Sequence, residues 1–291
     1  MKKIFIVLFA VLLPFNGFAE PAKVFVSILP QKYFLEKIGK DFIEAEVMVL
    51  PGHSPVSYNP KPSQMASLSK AQIYFSIGVP FEKNWLPKIE KNYKNLFISD
   101  SSSGVLKRQT DDGFFEEHRM EKEIHNHGNE FYDPHIWMSP LNAIRIARNM
   151  MIVLSKKDPL NREEFYKNYL EFSKEVIELD EKIIKKTLNI ETRNIFVFHP
   201  SWGYFMDEYN LNQIPIEAQG KEPGPSHLSK IMKFAQKHNI KTLLVQPQFP
   251  SSSVKVMEKT LGLKVVIADP LAESWGENLL KISKLISNSK K

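Results

Sequence analysis

The stretch "DPLNREEFYKNYLEFSKEVIELDEKIIKKTLN" (158–189) carries a long helical pattern that decides how the chain is organised. Its apolar residues recur at three- and four-residue steps, which predicts a single apolar stripe along one helix. They are Phe165, Tyr169, Phe172, Val176, Leu179 and Ile183. Asp158 is expected to cap the start of this helix, with Pro159 at its first position. Because so long a helix is unusual in a globular protein, we interpret it as a rigid backbone that joins two lobes.

Short β-branched runs alternate with helical patterns on both sides of this helix, which predicts βα units and mostly parallel sheets. The predicted strands are 23–29, 44–50, 72–78 and 95–100 before the helix, and 194–199, 213–218, 242–247 and 264–269 after it. The predicted fold class is therefore α/β, with two (βα) lobes joined by one long helix. The expected boundaries are residues 20–157, 158–189 for the linking helix, and 190–291.

The N-terminus has the three-part pattern of a secretory signal peptide. Lys2 and Lys3 precede an apolar run, and small residues lead to Ala19, after which cleavage is expected. The apolar run is shorter than the ~20 residues that a membrane-spanning helix needs. An uncleaved N-terminal anchor is the alternative. The expectation is that residues 1–19 are removed and that the chain works in the periplasm.

Charge and cysteine content exclude several classes of protein. Without residues 1–19 the formal net charge falls from +6 to +4, and the Lys and Arg residues are spread along the chain. Nucleic-acid binding needs clustered cations, so no nucleic-acid partner is expected. The chain has no cysteine. Disulfides and thiolate–metal sites are therefore impossible, and any metal must be bound by His, Asp, Glu or water.

Three candidate site residues lie where predicted strands end. His53 follows the strand at 44–50, His199 ends the strand at 194–199, and Asp269 ends the strand at 264–269. Ligands of open α/β sheets bind beyond the carboxyl ends of the strands. Each residue also has a plain structural interpretation, since histidines pack at strand ends and an Asp before Pro forms turns.

A fourth candidate, His135, lies in "YDPHIWMSPLNAIRIARNMMIVL" (132–154). A helix is expected to follow it, capped by Ser139 with Pro140 at its first position. Capping explains those two residues but not their neighbours. Asp133 can orient an imidazole by a hydrogen bond, and Trp137 can shield it from water.

An acidic segment at 108–130 contains His118, His125 and His127. This segment has too few apolar residues to bury enough apolar surface to fold by itself. An H-x-H pair with nearby carboxylates can hold a metal ion loosely. A solvated loop with incidental histidines is an equally good interpretation.

Five motifs in order resemble the cluster A-I solute-binding proteins, the ZnuA-like zinc- and manganese-binding components of metal ABC importers. They are "PGHSPVSYNPKPSQ" (51–64), "DPHIWMSP" (133–140), "FHPSWGYFMDEYNL" (198–211), "GKEPGPSHLSKI" (220–231) and "ADPLAESWG" (268–276). The resemblance covers essentially the whole chain after residue 19. It implies one metal ion in the cleft between two lobes, captured in the periplasm and handed to a membrane permease.

The same resemblance implies the ligands. His135, His199 and Asp269 match three ligand positions of the family, and a histidine at 199 is similar to its zinc-type members. The family's first ligand position is occupied here by Val56, which cannot coordinate a metal. The hypothesis is that His53, three residues earlier on the same stiff turn, supplies the missing nitrogen. A water molecule or a histidine of the acidic segment could complete the site instead.

Three imidazoles and one carboxylate suit Zn²⁺, with Mn²⁺ less suitable and Ni²⁺ and Cu²⁺ chemically possible. We expect a monomeric zinc-binding protein and not an enzyme. An exported zinc hydrolase with an open metal site is the alternative, although the sequence contains neither H-E-x-x-H nor G-x-S-x-G. His227 and His238 are predicted at the start and end of a helix, and Trp85, Trp202 and Trp275 are predicted to pack or to line the cleft.

Overall fold

Two four-stranded sheets, each with only parallel pairings, form the framework of the protein. The computed structural model describes residues 20–110, 132–217, 223–249 and 251–287. The first sheet contains β1 (Ala22–Val26), β2 (Ile43–Val47), β3 (Ile73–Ser76) and β4 (Phe97–Asp100), in the order β2-β1-β3-β4. The second contains β5 (Asn194–Val197), β6 (Asn212–Pro215), β7 (Thr242–Val245) and β8 (Lys264–Ile267), in the order β6-β5-β7-β8. All eight predicted strands and the two-lobe α/β fold are confirmed.

Helices follow the strands of both sheets. They are α1 (Leu29–Gly39), α2 (Pro62–Leu68), α3 (Pro80–Asn92), α4 (Pro140–Lys157), α5 (Arg162–Thr187), α6 (Gly203–Glu208), α7 (Pro225–Lys237), α8 (Ser251–Leu261) and α9 (Trp275–Ser287). Several begin at a proline, whose fixed φ and missing N–H suit the first helical position. None of those in the described ranges combines the length and the apolar character that crossing a bilayer requires. The predicted signal peptide lies outside these ranges.

The long helix is confirmed as α5, 26 residues in length, and it packs against α1, α4 and α9. Phe165, Phe172, Val176 and Ile183 of the predicted stripe are buried. The predicted start of the helix was wrong. Asp158 instead ends α4, where its backbone N–H bonds to the carbonyl oxygen of Leu154 at 2.8 Å. Because α4 runs on to Lys157, the chain needs residues 158–161 to turn into α5. The lobe boundaries stay a prediction.

Two buried tryptophans join the lobes. Trp137 lies in a 3₁₀ turn (Ile136–Met138) just before α4, and Trp275 begins α9. The indole Nε1 of Trp137 donates to the carbonyl oxygen of Pro270 at 2.7 Å, and that of Trp275 donates to the carbonyl oxygen of Trp137 at 2.7 Å. These side chains belong to one hydrophobic core that includes residues of both lobes. Trp275 and Trp202 therefore pack in the interior, as predicted.

We expect Trp275→Phe to lower the free energy of unfolding by about 1–3 kcal/mol, because it leaves the buried carbonyl of Trp137 without its donor. Urea unfolding followed by circular dichroism measures this. Trp85→Phe is the matched control, since Trp85 lies half-buried on α3 and contacts the Lys88 ammonium 4.7 Å from its ring. Equal losses from the two substitutions would contradict the special role of Trp275.

The start of α3 contains a buried carboxyl group, Glu82, beside the loop that carries His53. Glu82 accepts hydrogen bonds from the Ser27 hydroxyl, from the Ile77 N–H at 3.0 Å and from the Gly78 N–H at 2.8 Å. Burial raises the pKa of Glu82 to about 7 in spite of these donors. The neighbouring Phe81 N–H bonds to the Pro55 carbonyl at 3.0 Å, which ties α3 to that loop.

Glu82 predicts a pH-dependent stability. In the unfolded chain the Glu82 carboxyl loses its proton near pH 4.5, whereas in the folded chain it does so near 7. The folded state therefore holds an extra proton between these values, and the free energy of unfolding falls as the pH rises through them. The loss is on the order of 3 kcal/mol. We expect Glu82→Gln to remove this slope in urea unfolding between pH 4.5 and 7.5, whereas Glu90→Gln, on the exposed face of α3, should retain it.

Candidate metal centre

His135 is held by the carboxylate that the sequence predicted would orient it. Asp133 Oδ1 lies 2.7 Å from His135 Nδ1 and accepts the His135 backbone N–H at 2.9 Å. Burial opposes ionisation of Asp133, but the adjacent imidazole and its hydrogen bonds hold the pKa of this carboxyl below its usual value. Because an ionised carboxylate only accepts, His135 Nδ1 carries the proton. The Nε2 atom of His135 is then the one with a lone pair for a metal.

The backbone around His135 is fixed by local structure. His135 immediately precedes the 3₁₀ turn, and the Ser139 hydroxyl accepts the Asn142 N–H at 3.1 Å to cap α4, as predicted. The Trp137 ring contacts the imidazole edge-on with centroids 5.3 Å apart. Trp137 is 1% exposed, so this indole shields one side of His135 from water.

The Nδ1 atom of His199 also bonds to a carboxylate, and this carboxylate was not predicted from the sequence. His199 lies two residues beyond the end of β5, and its Nδ1 atom is 2.6 Å from Glu217 Oε1. Glu217 lies two residues beyond the end of β6, the strand that pairs with β5. The signal for Glu217 was its acidic side chain at the carboxyl end of the predicted strand 213–218. Like His135, His199 therefore presents Nε2 to a ligand.

The two carboxylate-backed imidazoles face each other. The rings of His135 and His199 lie with their centroids 5.4 Å apart and their planes at 73°. One imidazole follows the first sheet in the chain, and the other follows the first strand of the second sheet. The structure thus brings together two of the four predicted site residues, one from each side of the long helix.

The other two predicted residues, His53 and Asp269, line a shared cavity of about 190 Å³. Asp269 Oδ1 accepts the Leu271 N–H at 3.0 Å and the Gln248 side-chain amide at 3.3 Å. Asp269 therefore stabilises the turn through Oδ1, and its Oδ2 atom is the candidate ligand for a cation. Asp269 is adjacent to Pro270, whose carbonyl accepts the Trp137 indole. Trp137 therefore contacts both His135 and the residue next to Asp269.

His53 lies exposed on its loop, with Nδ1 at 3.1 Å from the Pro51 carbonyl oxygen and its ring edge-on to Tyr58 at 5.5 Å. A carbonyl only accepts, so Nδ1 carries the proton and Nε2 is again the potential ligand. Val56, at the position of the family's first ligand, is 64% exposed.

Within the described ranges, no three His, Cys, Asp or Glu side chains are close enough to form a metal-binding group. His135 and His199 therefore form a pair, whereas His53 and Asp269 line a cavity that neither of these imidazoles lines. His118, His125 and His127 lie outside the described residues, so the suggestion that they hold metal stays a prediction. His227 and His238 lie at the first turn and the C-cap of α7, as predicted.

Comparison with known proteins gives consistent findings. A family model described as "Zinc-uptake complex component A periplasmic" (ZnuA) matches residues 24–285. A crystal structure of ZnuA has 34% identity and a TM-score of 0.82, covering 92% of this chain and 99% of that one. A crystal structure of a ZnuA deletion mutant with zinc bound has 34% identity and a TM-score of 0.83, covering 94% and 99%. The high-affinity zinc uptake system protein ZnuA of Bacillus subtilis (strain 168) is 25% identical, over 85% of this chain and 78% of that protein.

We expect Glu217→Gln to weaken divalent-cation binding about tenfold, because an amide orients the His199 imidazole less strongly and makes it a poorer base. Competition against a chromogenic chelator measures the affinity. The control is Glu178→Gln, an exposed carboxyl on α5. Unchanged affinity in Glu217→Gln would show that this carboxylate has no part in binding.

Proposed function

Because the chain belongs to the ZnuA family of periplasmic zinc-uptake components, we propose that it captures Zn²⁺ and delivers it to an ABC-type metal importer. The family is a solute-binding component of a transport system and not an enzyme. Zinc is then the cargo, and the membrane permease of the importer is the partner that receives it. Residues 1–19 serve as the signal peptide that takes the chain to the periplasm.

The observation that carries this proposal is the separation of the two imidazoles. Two histidines bound through Nε2 to one tetrahedral zinc, with Zn–N distances of about 2.0–2.1 Å, have ring centroids roughly 5 Å apart. The centroids of His135 and His199 are 5.4 Å apart. Each imidazole also has its Nδ1 atom bonded to a carboxylate, the usual support of a metal-ligating histidine.

His53 and Asp269 complete the proposed site when the metal is bound. They line one cavity, His53 from the loop after β2 and Asp269 from the turn after β8. In this proposal the exposed His53 loop shifts toward the imidazole pair when the cation binds. The resulting set of three nitrogens and one oxygen, without sulfur, suits Zn²⁺ better than Mn²⁺, which prefers more oxygen ligands.

Zinc titration of single-alanine variants tests the site. We expect His135→Ala, His199→Ala, Asp269→Ala and His53→Ala each to weaken zinc binding tenfold or more, since losing a ligand costs at least as much as losing its supporting partner. His238→Ala is the control, because His238 ends α7 and stacks on Phe234 with ring centroids 4.1 Å apart.

Each outcome separates one alternative. Unchanged binding by His53→Ala would remove His53 as a ligand. Deletion of residues 111–131 then distinguishes a histidine of the acidic segment from a water molecule as the remaining ligand.

Two further measurements test the function. Ester or peptide hydrolysis by the zinc-loaded protein, lost in His135→Ala, would favour the hydrolase. Delivery is tested by expressing this chain in a bacterial strain that has the importer but lacks the importer's own zinc-binding component. Restored growth in zinc-depleted medium would support delivery of zinc to the importer.

A further inference from the structure

Arg108 lies between carboxylates from the two lobes. It follows β4 in the chain, and its side chain is 17% exposed. Its Nη1 atom donates to Asp133 Oδ2 at 3.0 Å, and its Nε atom donates to Asp207 Oδ2 at 2.8 Å. Asp133 belongs to the segment that carries His135, whereas Asp207 belongs to α6, just after His199. One guanidinium therefore bridges the two segments that supply the imidazole pair.

The backbone of the second lobe is shaped around this guanidinium. A Cβ atom at Gly203 would lie 1.8 Å from Arg108 Nη1 and 2.5 Å from Arg108 Cζ. Only glycine leaves room for the arginine at this point. The next residue, Tyr204, accepts the Arg108 backbone N–H at 3.1 Å and donates its hydroxyl to the Asp133 carbonyl at 3.0 Å. The Asp133 N–H in turn bonds to the Arg108 carbonyl at 3.0 Å.

These contacts determine how Asp133 is oriented. Its Oδ1 atom accepts the two N–H groups of His135, and its Oδ2 atom accepts Arg108. With both oxygens engaged, the 1% exposed carboxylate side chain cannot rotate away from the imidazole. The Asp207 contact contributes less, because that side chain is 60% exposed and its attraction is screened by water.

We propose that Arg108 is a positioning residue for metal capture. It locks Asp133 against His135 and clamps that segment to Gly203 and Tyr204, four and five residues after His199. The two imidazoles are thereby held at their binding separation before the cation arrives. This inference rests on the proposed function, since it assigns a role in binding zinc at His135 and His199. A lysine cannot substitute fully, because a single ammonium lacks the planar fork that reaches both partners.

A double-mutant cycle on the full mature chain tests this inference. Zinc affinity is measured by chelator competition for the wild type, Arg108→Met, Asp133→Asn and the double variant. If Arg108 acts through Asp133, Arg108→Met weakens zinc binding about tenfold in the wild type and less than about twofold in Asp133→Asn. If Arg108 had only a general structural role, the losses of zinc affinity in the two single variants would instead multiply in the double variant. Lys107→Met, which removes an exposed neighbouring charge, should bind like the wild type.

Gly203→Ala is a second variant, which keeps the charge of Arg108 while its new methyl displaces the guanidinium and presses on Asp133 Oδ2, 2.8 Å away. It should weaken zinc binding as Arg108→Met does, whereas Gly224→Ala, whose new methyl meets no atom within 4 Å, should not. Wild-type affinity in both Arg108→Met and Gly203→Ala, or multiplying effects in the cycle, would overturn the inference. A wild type that binds no zinc would instead overturn the proposed function, so the two failures are distinguishable.

Discussion

The buried contact between Trp137 and Trp275 is the constraint on which the rest of the structure depends. Each indole N–H is removed from water and must find an acceptor, and each finds a backbone carbonyl across the lobe boundary. One acceptor is Pro270, next to Asp269, and Trp137 itself lies two residues after His135. The bonds that satisfy the two indoles therefore also fix where the segments that carry His135 and Asp269 lie. A continuous core through this contact makes the relative position of the lobes a property of packing, not of a free hinge.

The two kinds of histidine environment suit a protein that must hold a metal ion and then release it. His135 and His199 are each backed by a buried carboxylate, which orients the ring and raises its basicity. His53 is backed only by the carbonyl of its own loop and is exposed. In the proposed site, the imidazole pair is already arranged to capture the ion, whereas His53 is the less firmly held group.

The secondary structure was largely predictable because its causes are local. β-Branched runs bounded by turn residues marked all eight strands, and the spacing of Phe165, Phe172, Val176 and Ile183 marked α5. The start of α5 was missed because Asp158-Pro159 has the composition of an N-cap, whereas the preceding helix extends up to it. Asp133 was predicted from its place two residues before His135. Glu217 could be noticed only as an acidic residue at the end of a predicted strand, and nothing in the sequence around Arg108 pointed to its contact with Asp133.

By itself, the sequence determined the fold class, the absence of thiolate ligands and the four residues worth testing. The spacing of apolar residues, the turn-forming residues and the composition are all properties of the linear chain. Only the tertiary structure decided which of these side chains meet. That depends on the shared strand order of the two sheets, which brings the carboxyl ends of β5 and β6 side by side, and on the packing of one lobe against the other. For this reason His135 and His199 form a pair, whereas His53 and Asp269 lie on the walls of a cavity that neither of these imidazoles lines.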